Sequence, residues 1–209
     1  MMDRTLFDSI IGHSRLKEQF ARLIDEDRIP HAMIFAGPAG IGKTLMAIAV
    51  ASALVGRRVF PDLASREGEA VAGDKDDAFY LAPMGAMLKV DQFRQLQGEL
   101  ALQGEAGHRR VCIIDHVETM NTEFANRMLK ILEEPPSGVC FILITDQPDL
   151  LLPTIISRCV RFTFDPVATR DAPGTAAPAG RRWELGRSHP LGWRHRPDRI
   201  VLSRRPGDG

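Results

Sequence analysis

Apolar residues in the first 165 positions occur in two patterns, short unbroken runs and stripes of helical period. Unbroken runs of about four to eight residues are typical of strands that are buried on both faces of a sheet. The last predicted strand instead alternates apolar and polar residues, as expected of a strand with one exposed face. The predicted strands are AMIFA (32–36), AFYLA (78–82), VCIID (111–115), VCFILIT (139–145) and the alternating VRFTF (160–164).

Helical periodicity fills the intervals between these strands. The predicted helices cover 14–27, 44–55, 90–103, 121–134 and a short segment at 151–158. We predict Ser14 as the N-cap of the first helix and Pro135-Pro136 as the stop of the fourth. Residues 56–77 are charged and rich in Gly and Ala, which predicts a surface loop. Strands that alternate with helices predict an α/β fold with a parallel sheet flanked by helices.

The formal charge of zero conceals two different segments. Residues 1–167 hold 18 basic and 23 acidic side chains, whereas residues 168–209 hold 9 arginines, no lysine and 4 acids. We therefore predict a folded domain over 1–167. The Arg/Pro/Gly-rich tail over 168–209 is interpreted as a shifted reading frame or as a disordered basic extension. Because the folded part is net acidic, charge gives no argument for direct DNA binding.

Cysteine usage and hydropathy indicate the compartment. The three cysteines form no close pair and are odd in number, which argues against a disulfide framework and a cysteine zinc site. No apolar run approaches the roughly 20 residues that a membrane helix needs, and the N-terminus lacks the layout of a signal peptide. These features predict a soluble cytoplasmic protein.

The strongest chemical signal is a glycine-rich loop between the first predicted strand and the second helix. GPAGIGKT satisfies the pattern G-x-x-x-x-G-K-[ST], in which backbone amides surround a phosphate and a helix N-terminus adds positive charge. Within it, Lys43 can reach the β- and γ-phosphates and Thr44 can ligate Mg²⁺. The sequence thus predicts ATP binding with Mg²⁺ by Gly37, Pro38, Ala39, Gly40, Ile41, Gly42, Lys43 and Thr44.

Asp115 is the second candidate of the same site. It ends an apolar strand about 70 residues after the loop, where P-loop proteins place an acid that holds the magnesium ion. An acid at a strand end is common for other reasons, but the preceding loop favours the magnesium role. We predict Thr44 and Asp115 as the magnesium residues.

Taken together, these motifs resemble the AAA+ subunits of the clamp loader of bacterial DNA polymerase III. The resemblance is greatest to the delta-prime family and next to the tau/gamma ATPases. It covers nearly all of residues 5–165. It rests on FDSIIGHSRLKEQFARLI (7–24), RIPHAMIFAGPAGIGKT (28–44), RRVCIIDHVETMNTEFANRMLKILEEPP (109–136) and FILITDQPDLLLPTIISRC (141–159).

This resemblance implies further positions. The strand 139–145 would lie between the P-loop strand and the Asp115 strand, which places Thr145 at the sensor-1 position near the γ-phosphate. A β-branched residue that merely ends a strand is the alternative for Thr145. Arg158 of SRC would be an arginine finger that enters the ATP site of a neighbouring subunit. An ordinary surface ion pair is the alternative for Arg158.

Three departures from the family affect the expected function. His116 stands where hydrolytic relatives carry the water-activating glutamate, and neither Glu118 nor Glu123 falls at that position. We interpret His116 as a packing or hydrogen-bonding residue rather than a substitute base. Residues 56–77 contain neither Cys nor His, so no zinc module is expected there. The lid and collar domains of the family are not recognisable after residue 167.

These features predict a clamp-loader subunit in DNA replication that binds ATP with slow or absent hydrolysis. Its expected partners are tau/gamma- and delta-type subunits, with the sliding clamp and primed DNA reached through the complex. One alternative is a self-sufficient ATPase of the tau/gamma type, and another is a non-functional fragment. A different AAA+ ATPase, such as a branch-migration motor, is disfavoured by LEEPP and SRC.

Overall fold

A computed structural model describes residues 3–63, 69–101 and 109–166 of the chain. Its strands are β1 (Ala32–Ala36), β2 (Ala72–Asp74), β3 (Ala78–Leu81), β4 (Arg110–Ile114), β5 (Val139–Thr145) and β6 (Val160–Thr163). They form one sheet in the order β2-β3-β4-β5-β1-β6. All pairs are parallel except β2 with β3, which is antiparallel at one edge. The predicted α/β fold is confirmed, and β5 lies between β1 and β4 as expected.

The helices lie close to their predicted positions. They are α1 (Ser14–Asp25), α2 (Lys43–Val55), α3 (Val90–Ala101), α4 (Thr122–Glu133) and α5 (Pro153–Ile156). Asn121 caps α4, since its side chain accepts a hydrogen bond from the Phe124 amide. The predicted N-cap of α1 was wrong. Ser14 is already helical, and His13 precedes it in the left-handed conformation without a side-chain cap.

Two apolar cores lie on the two faces of the sheet. Because side chains alternate along a strand, Ile34 and Ala36 of β1 face the core that includes α3, α4 and α5, whereas Met33 and Phe35 face α1 and α2. Seven consecutive residues of β5 are buried, as expected of a strand covered on both sides. The face of α4 that packs on the sheet carries Phe124, Met128, Ile131 and Leu132, which are all buried.

The predicted surface loop over 56–77 was wrong in part. It contains β2, and Val59 and Phe60 are buried in the core of α1 and α2. Several of the charged side chains that suggested solvent exposure form ion pairs with one another. Arg57 forms ion pairs with Asp74, at 2.9 Å, and with Asp77. The same Asp74 accepts the Phe60 amide at 2.5 Å, so this loop is tied down against the sheet edge.

Two predictions fall outside the described residues, namely the end of the domain at residue 167 and the nature of the tail 168–209. Within the described ranges, none of the helices combines the length and hydropathy required to cross a membrane. All three cysteines are free thiols.

Candidate functional site

The glycine-rich loop joins the end of β1 to the start of α2 and has the form of a phosphate cradle. Gly42 takes a left-handed conformation (φ 95°), which favours glycine and turns the chain directly into Lys43, the first residue of α2. At Gly37, a Cβ atom would overlap the backbone oxygen of Phe164 and approach the Ile41 side chain to 2.9 Å. The fold therefore requires glycine at this position.

Lys43 is held inside the cradle by the loop itself. Its side chain is only 4% exposed, and Nζ lies 2.6 Å from Oδ1 of Asp146. The same ammonium donates to the carbonyl oxygens of Gly37, at 2.8 Å, and Pro38, at 2.6 Å. A phosphate that engages Lys43 must therefore compete with the carboxylate of Asp146.

Asp115 lies at the end of β4 and is the centre of a hydrogen-bond network. Its Oδ2 accepts from the hydroxyl of Thr44 at 3.1 Å and from the hydroxyl of Tyr80 at 2.7 Å. Its Oδ1 accepts from the backbone amide of His116 at 2.9 Å. The structure thus brings together the two predicted magnesium residues, although they are 71 positions apart.

Tyr80 is a site residue that the sequence analysis missed. It lies on β3, one residue before the strand ends, beside β4. Burial and the neighbouring Asp115 carboxylate raise the pKa of Tyr80 well above its ordinary value, so its hydroxyl stays protonated and donates to Asp115. A strand tyrosine is usually a core residue, and the only hint was that the chain contains a single tyrosine.

His116 follows Asp115 in the left-handed conformation (φ 52°). Its carbonyl accepts from the amide of Thr119 at 2.9 Å and from the Thr119 hydroxyl at 2.7 Å, which fixes a tight turn. Its Nδ1 lies 3.2 Å from Oε1 of Glu118. This contact raises the pKa of His116 above its ordinary value, against an opposing effect of burial. The interpretation of His116 as a hydrogen-bonding residue is consistent with this geometry.

Glu118 belongs to the site, which the sequence analysis did not expect. The 3-10 turn Val117–Thr119 folds the chain back, so the Glu118 side chain is buried beside His116. Burial alone would raise the pKa of Glu118, but hydrogen bonds with His116 and Thr145 hold it below its ordinary value. Glu123 lies elsewhere, on α4, paired with Arg94 and Arg127.

Thr145 ends β5 and is fully buried beside the cradle. Its hydroxyl accepts from the Gln147 amide at 3.0 Å, and its carbonyl accepts from the Gly37 amide at 3.3 Å. Asp146, which follows it, is a third site residue that the sequence analysis missed. The signal was present, since an acid directly after a buried strand is also the pattern that identified Asp115.

Arg158 lies on the surface after α5. Its guanidinium donates to the Thr154 carbonyl at 2.8 Å and to Oε1 of Glu133 at 2.7 Å. The described partners of Arg158 all lie outside the phosphate cradle. The structure thus shows the ion pair that was the alternative for this residue, with the side chain 35% exposed.

The residues present fit ATP with Mg²⁺. The cradle has no room for a side chain at Gly37, its lysine is buried at the helix N-terminus, and Thr44 and Asp115 offer oxygen ligands of the kind that Mg²⁺ prefers. When bound, the magnesium ion would neutralise charge on the phosphates. Thr44 and Asp115 would hold the ion, and Lys43 would contact the phosphates.

Comparison with known proteins gives consistent matches over this domain. A family model described as DNA polymerase III, delta subunit, matches residues 12–168. The DNA polymerase III subunit delta' of Pseudomonas aeruginosa is 41% identical over 139 residues, which are 63% of this chain and 42% of that protein. The delta' subunit of Bacillus subtilis is 35% identical over 147 residues, 69% of this chain and 45% of that protein. The chain therefore spans less than half the length of these curated relatives.

Solved structures support the fold. A DNA polymerase III gamma subunit-related protein from Thermotoga maritima aligns with a TM-score of 0.56 at 24% identity, over 73% of this chain and 46% of that one. The RuvB Holliday junction branch migration motor of the same organism aligns with a TM-score of 0.53 at 18% identity, over 78% of this chain and 49% of that one. At these identities the likeness concerns the fold alone, which is the AAA+ P-loop fold.

Proposed function

The chain belongs to the DNA polymerase III delta-subunit family, and on this premise we propose that it is a clamp-loader subunit that binds ATP–Mg²⁺ and acts on its neighbour. It binds nucleotide in the cradle Gly37–Thr44 and supplies Arg158 to the ATP site of an adjacent subunit. Its own hydrolysis is slow. The observation that carries the proposal is the convergence of Lys43, Thr44 and Asp115 at the end of the sheet.

Nucleotide binding is supported by the contacts of the cradle. Lys43 is buried, and the carbonyl oxygens of Gly37 and Pro38 hold its ammonium within the loop where a phosphate would lie. The Thr44 hydroxyl already contacts the carboxylate of Asp115. Tyr80 donates to the same carboxylate and holds it in a fixed orientation. The site thus needs little rearrangement around the metal ion.

Slow hydrolysis is supported by the residue that follows Asp115. A water-activating carboxylate must lie within hydrogen-bond reach of the attacking water. His116 occupies that position, and Glu118 contacts its ring. Imidazole that is paired with a carboxylate favours its charged form, which cannot accept a proton. This position therefore carries no carboxylate to orient the attacking water.

The arginine-finger role is supported by the placement of Arg158. It lies on the surface, and its described partners are outside its own cradle, so its guanidinium is accessible to a second molecule. An arginine inserted into an ATP site offsets charge that develops on the transferred phosphoryl group. The ion pair with Glu133 must open for this to happen.

The wider role follows from the family. Tau/gamma- and delta-type subunits are the proposed partners, and the sliding clamp and primed DNA are reached through the assembled complex. Thr145 acts as sensor 1 in this proposal, which is supported by its place beside the cradle, where its backbone carbonyl accepts from the Gly37 amide. The proposed location is the cytoplasm, where replication takes place in bacteria.

A self-sufficient ATPase is the second candidate, and one observation favours it. Glu118 lies next to His116 in the site and its pKa is held low, so it is a carboxylate at neutral pH. If Glu118 activated water, the purified chain would hydrolyse ATP rapidly. Replacement of Glu118 by Gln would then abolish that turnover.

The proposal is tested in two steps. The purified chain should bind a non-hydrolysable ATP analogue with Mg²⁺, and Lys43→Ala should abolish this binding. Turnover by the wild type should barely exceed that of Lys43→Ala. In a complex reconstituted with tau/gamma-type subunits, Arg158→Ala should lower the ATPase rate without preventing assembly, whereas Arg161→Ala, at another exposed arginine, should leave the rate unchanged. Equal rates for both variants would exclude the finger role.

A further inference from the structure

Three side chains with metal-binding atoms converge beside the phosphate cradle. His116 follows β4, Glu118 lies in the 3-10 turn after it, and Asp146 follows the neighbouring strand β5. One ligand atom from each lies within 4.8 Å of the other two. Because β4 and β5 are parallel neighbours, the segments that follow their carboxyl ends lie side by side and bring the three side chains together.

Glu118 gives the independent sign that this cluster receives a ligand. Its side chain is only 5% exposed, and its Oε1 lies 3.2 Å from Nδ1 of His116. Apart from the Thr145 hydroxyl, which helps to lower the pKa of this carboxyl, its second oxygen, Oε2, is buried without a hydrogen-bond partner among the described residues. Buried carboxylate oxygens are almost always satisfied by a donor or a cation, because the loss of their hydration is costly.

The donor set defines the class of ion. One imidazole nitrogen and two carboxylates are typical ligands of Zn²⁺ and related transition-metal ions in a three-residue site with an open position. Mg²⁺ prefers oxygen ligands alone and is served by Thr44 and Asp115. We propose that His116, Glu118 and Asp146 form a second metal site, which binds a divalent transition-metal ion of the Zn²⁺ class.

Lys43 competes with a metal ion for this site. Its ammonium lies 2.6 Å from Oδ1 of Asp146, so one of the three ligands is already paired with a cation. Loss of the lysine charge frees that carboxylate. When a phosphate draws Lys43 away, the same carboxylate becomes available. Nucleotide at the cradle and metal at the second site would then favour each other. The site itself does not depend on nucleotide binding.

The test is a titration of the full chain, without nucleotide and without an affinity tag, with Zn²⁺ by calorimetry and with Co²⁺ by visible absorption. Saturable binding of one ion with the d–d bands of a low-coordinate Co²⁺ site is expected. Glu118→Gln and Asp146→Asn should each weaken binding by at least about tenfold. Lys43→Met, which keeps the side-chain length but not the charge, should tighten it by about tenfold. Excess Mg²⁺ should not displace the ion.

Matched controls separate a local effect from a general change of charge. Asp149→Asn and Glu134→Gln remove the same charges from exposed positions near Asp146 and near the end of α4, and should leave binding unchanged. Far-ultraviolet circular dichroism verifies the fold of each variant. Equal binding by Glu118→Gln and Glu134→Gln would overturn the proposal, as would weaker binding by Lys43→Met. Because Lys43→Met removes nucleotide binding but strengthens metal binding, the two proposals fail separately.

Discussion

Replacement of Asp146 by Asn should tighten nucleotide binding, although it removes a residue of the site. In the structure, Asp146 Oδ1 lies 2.6 Å from Nζ of Lys43, with the two side chains 23% and 4% exposed. A hydrogen bond between charged groups contributes about 1.5–3 kcal/mol. Because Asp146 is partly exposed, we take the lower end of that range. A phosphate that recruits Lys43 must break this contact, so its removal should lower Kd for ATP by about tenfold.

The measurement is equilibrium binding of a fluorescent ATP analogue with Mg²⁺, in buffer free of transition-metal ions, followed by anisotropy. Asp149→Asn is the control, because it removes the same charge three positions away from an exposed side chain. If Asp146→Asn binds the analogue no more tightly than Asp149→Asn, Lys43 engages phosphate without leaving Asp146. Tighter binding in both variants would assign the effect to net charge instead of the ion pair.

Three further predictions concern His116, the ion pair of Glu133 and the pH dependence of stability. His116→Glu should raise ATP hydrolysis by the isolated chain about a hundredfold, which is the lower end of the contribution of a well-placed general base. No increase in a phosphate-release assay would show that another element is missing. Glu133→Gln removes the ion pair that holds Arg158. A partly exposed ion pair contributes about 0.2–1 kcal/mol, so half-maximal ATPase of a reconstituted complex should require up to about fivefold less of this subunit. Glu134→Gln should leave the half-saturating concentration unchanged. Equal shifts in the two variants would refute the idea that the ion pair with Glu133 restrains Arg158. The third prediction concerns pH. Folding raises the pKa of His116, so its stabilisation is complete below its unfolded value of 6.5 and is lost as pH rises through the folded value. Folding lowers the pKa of Glu118, so its stabilisation is complete above 4.5 and is lost as pH falls through the folded value. Urea unfolding should therefore show the largest deficit of His116→Gln between these two values and a smaller one at pH 9.

The sequence was sufficient for the parts of the fold that depend on local pattern. Unbroken apolar runs identified β1, β4 and β5, because strands covered on both faces have no polar positions. The loop Gly37–Thr44 was identified because its backbone geometry restricts which residues can occupy it. Asp115 was found because an acid after such a strand has a position fixed by the strand itself.

Residues whose position depends on contacts between distant segments were missed. Tyr80 meets Asp115 only because β3 pairs with β4, and no local pattern distinguishes it from a core tyrosine. Glu118 was placed outside the site because the sequence pattern does not predict the 3-10 turn that folds its side chain back beside His116. The buried part of 56–77 was missed because the segment is rich in charge. Arg57 forms ion pairs with Asp74 and Asp77, so these charges do not prevent the neighbouring apolar residues from being buried.

The contact between Gly37 and Phe164 joins the glycine-rich loop to the segment that follows β6. Phe164 follows β6, donates its amide to the Ala36 carbonyl at 2.8 Å, and presses its own carbonyl against Gly37. His13 packs its ring against the Phe164 ring and contacts the Ile41 carbonyl at 2.8 Å. The segment that follows β6 is therefore part of the wall of the cradle. A displacement of Phe164 would therefore change the shape of the loop at Gly37, where there is no room for a Cβ atom.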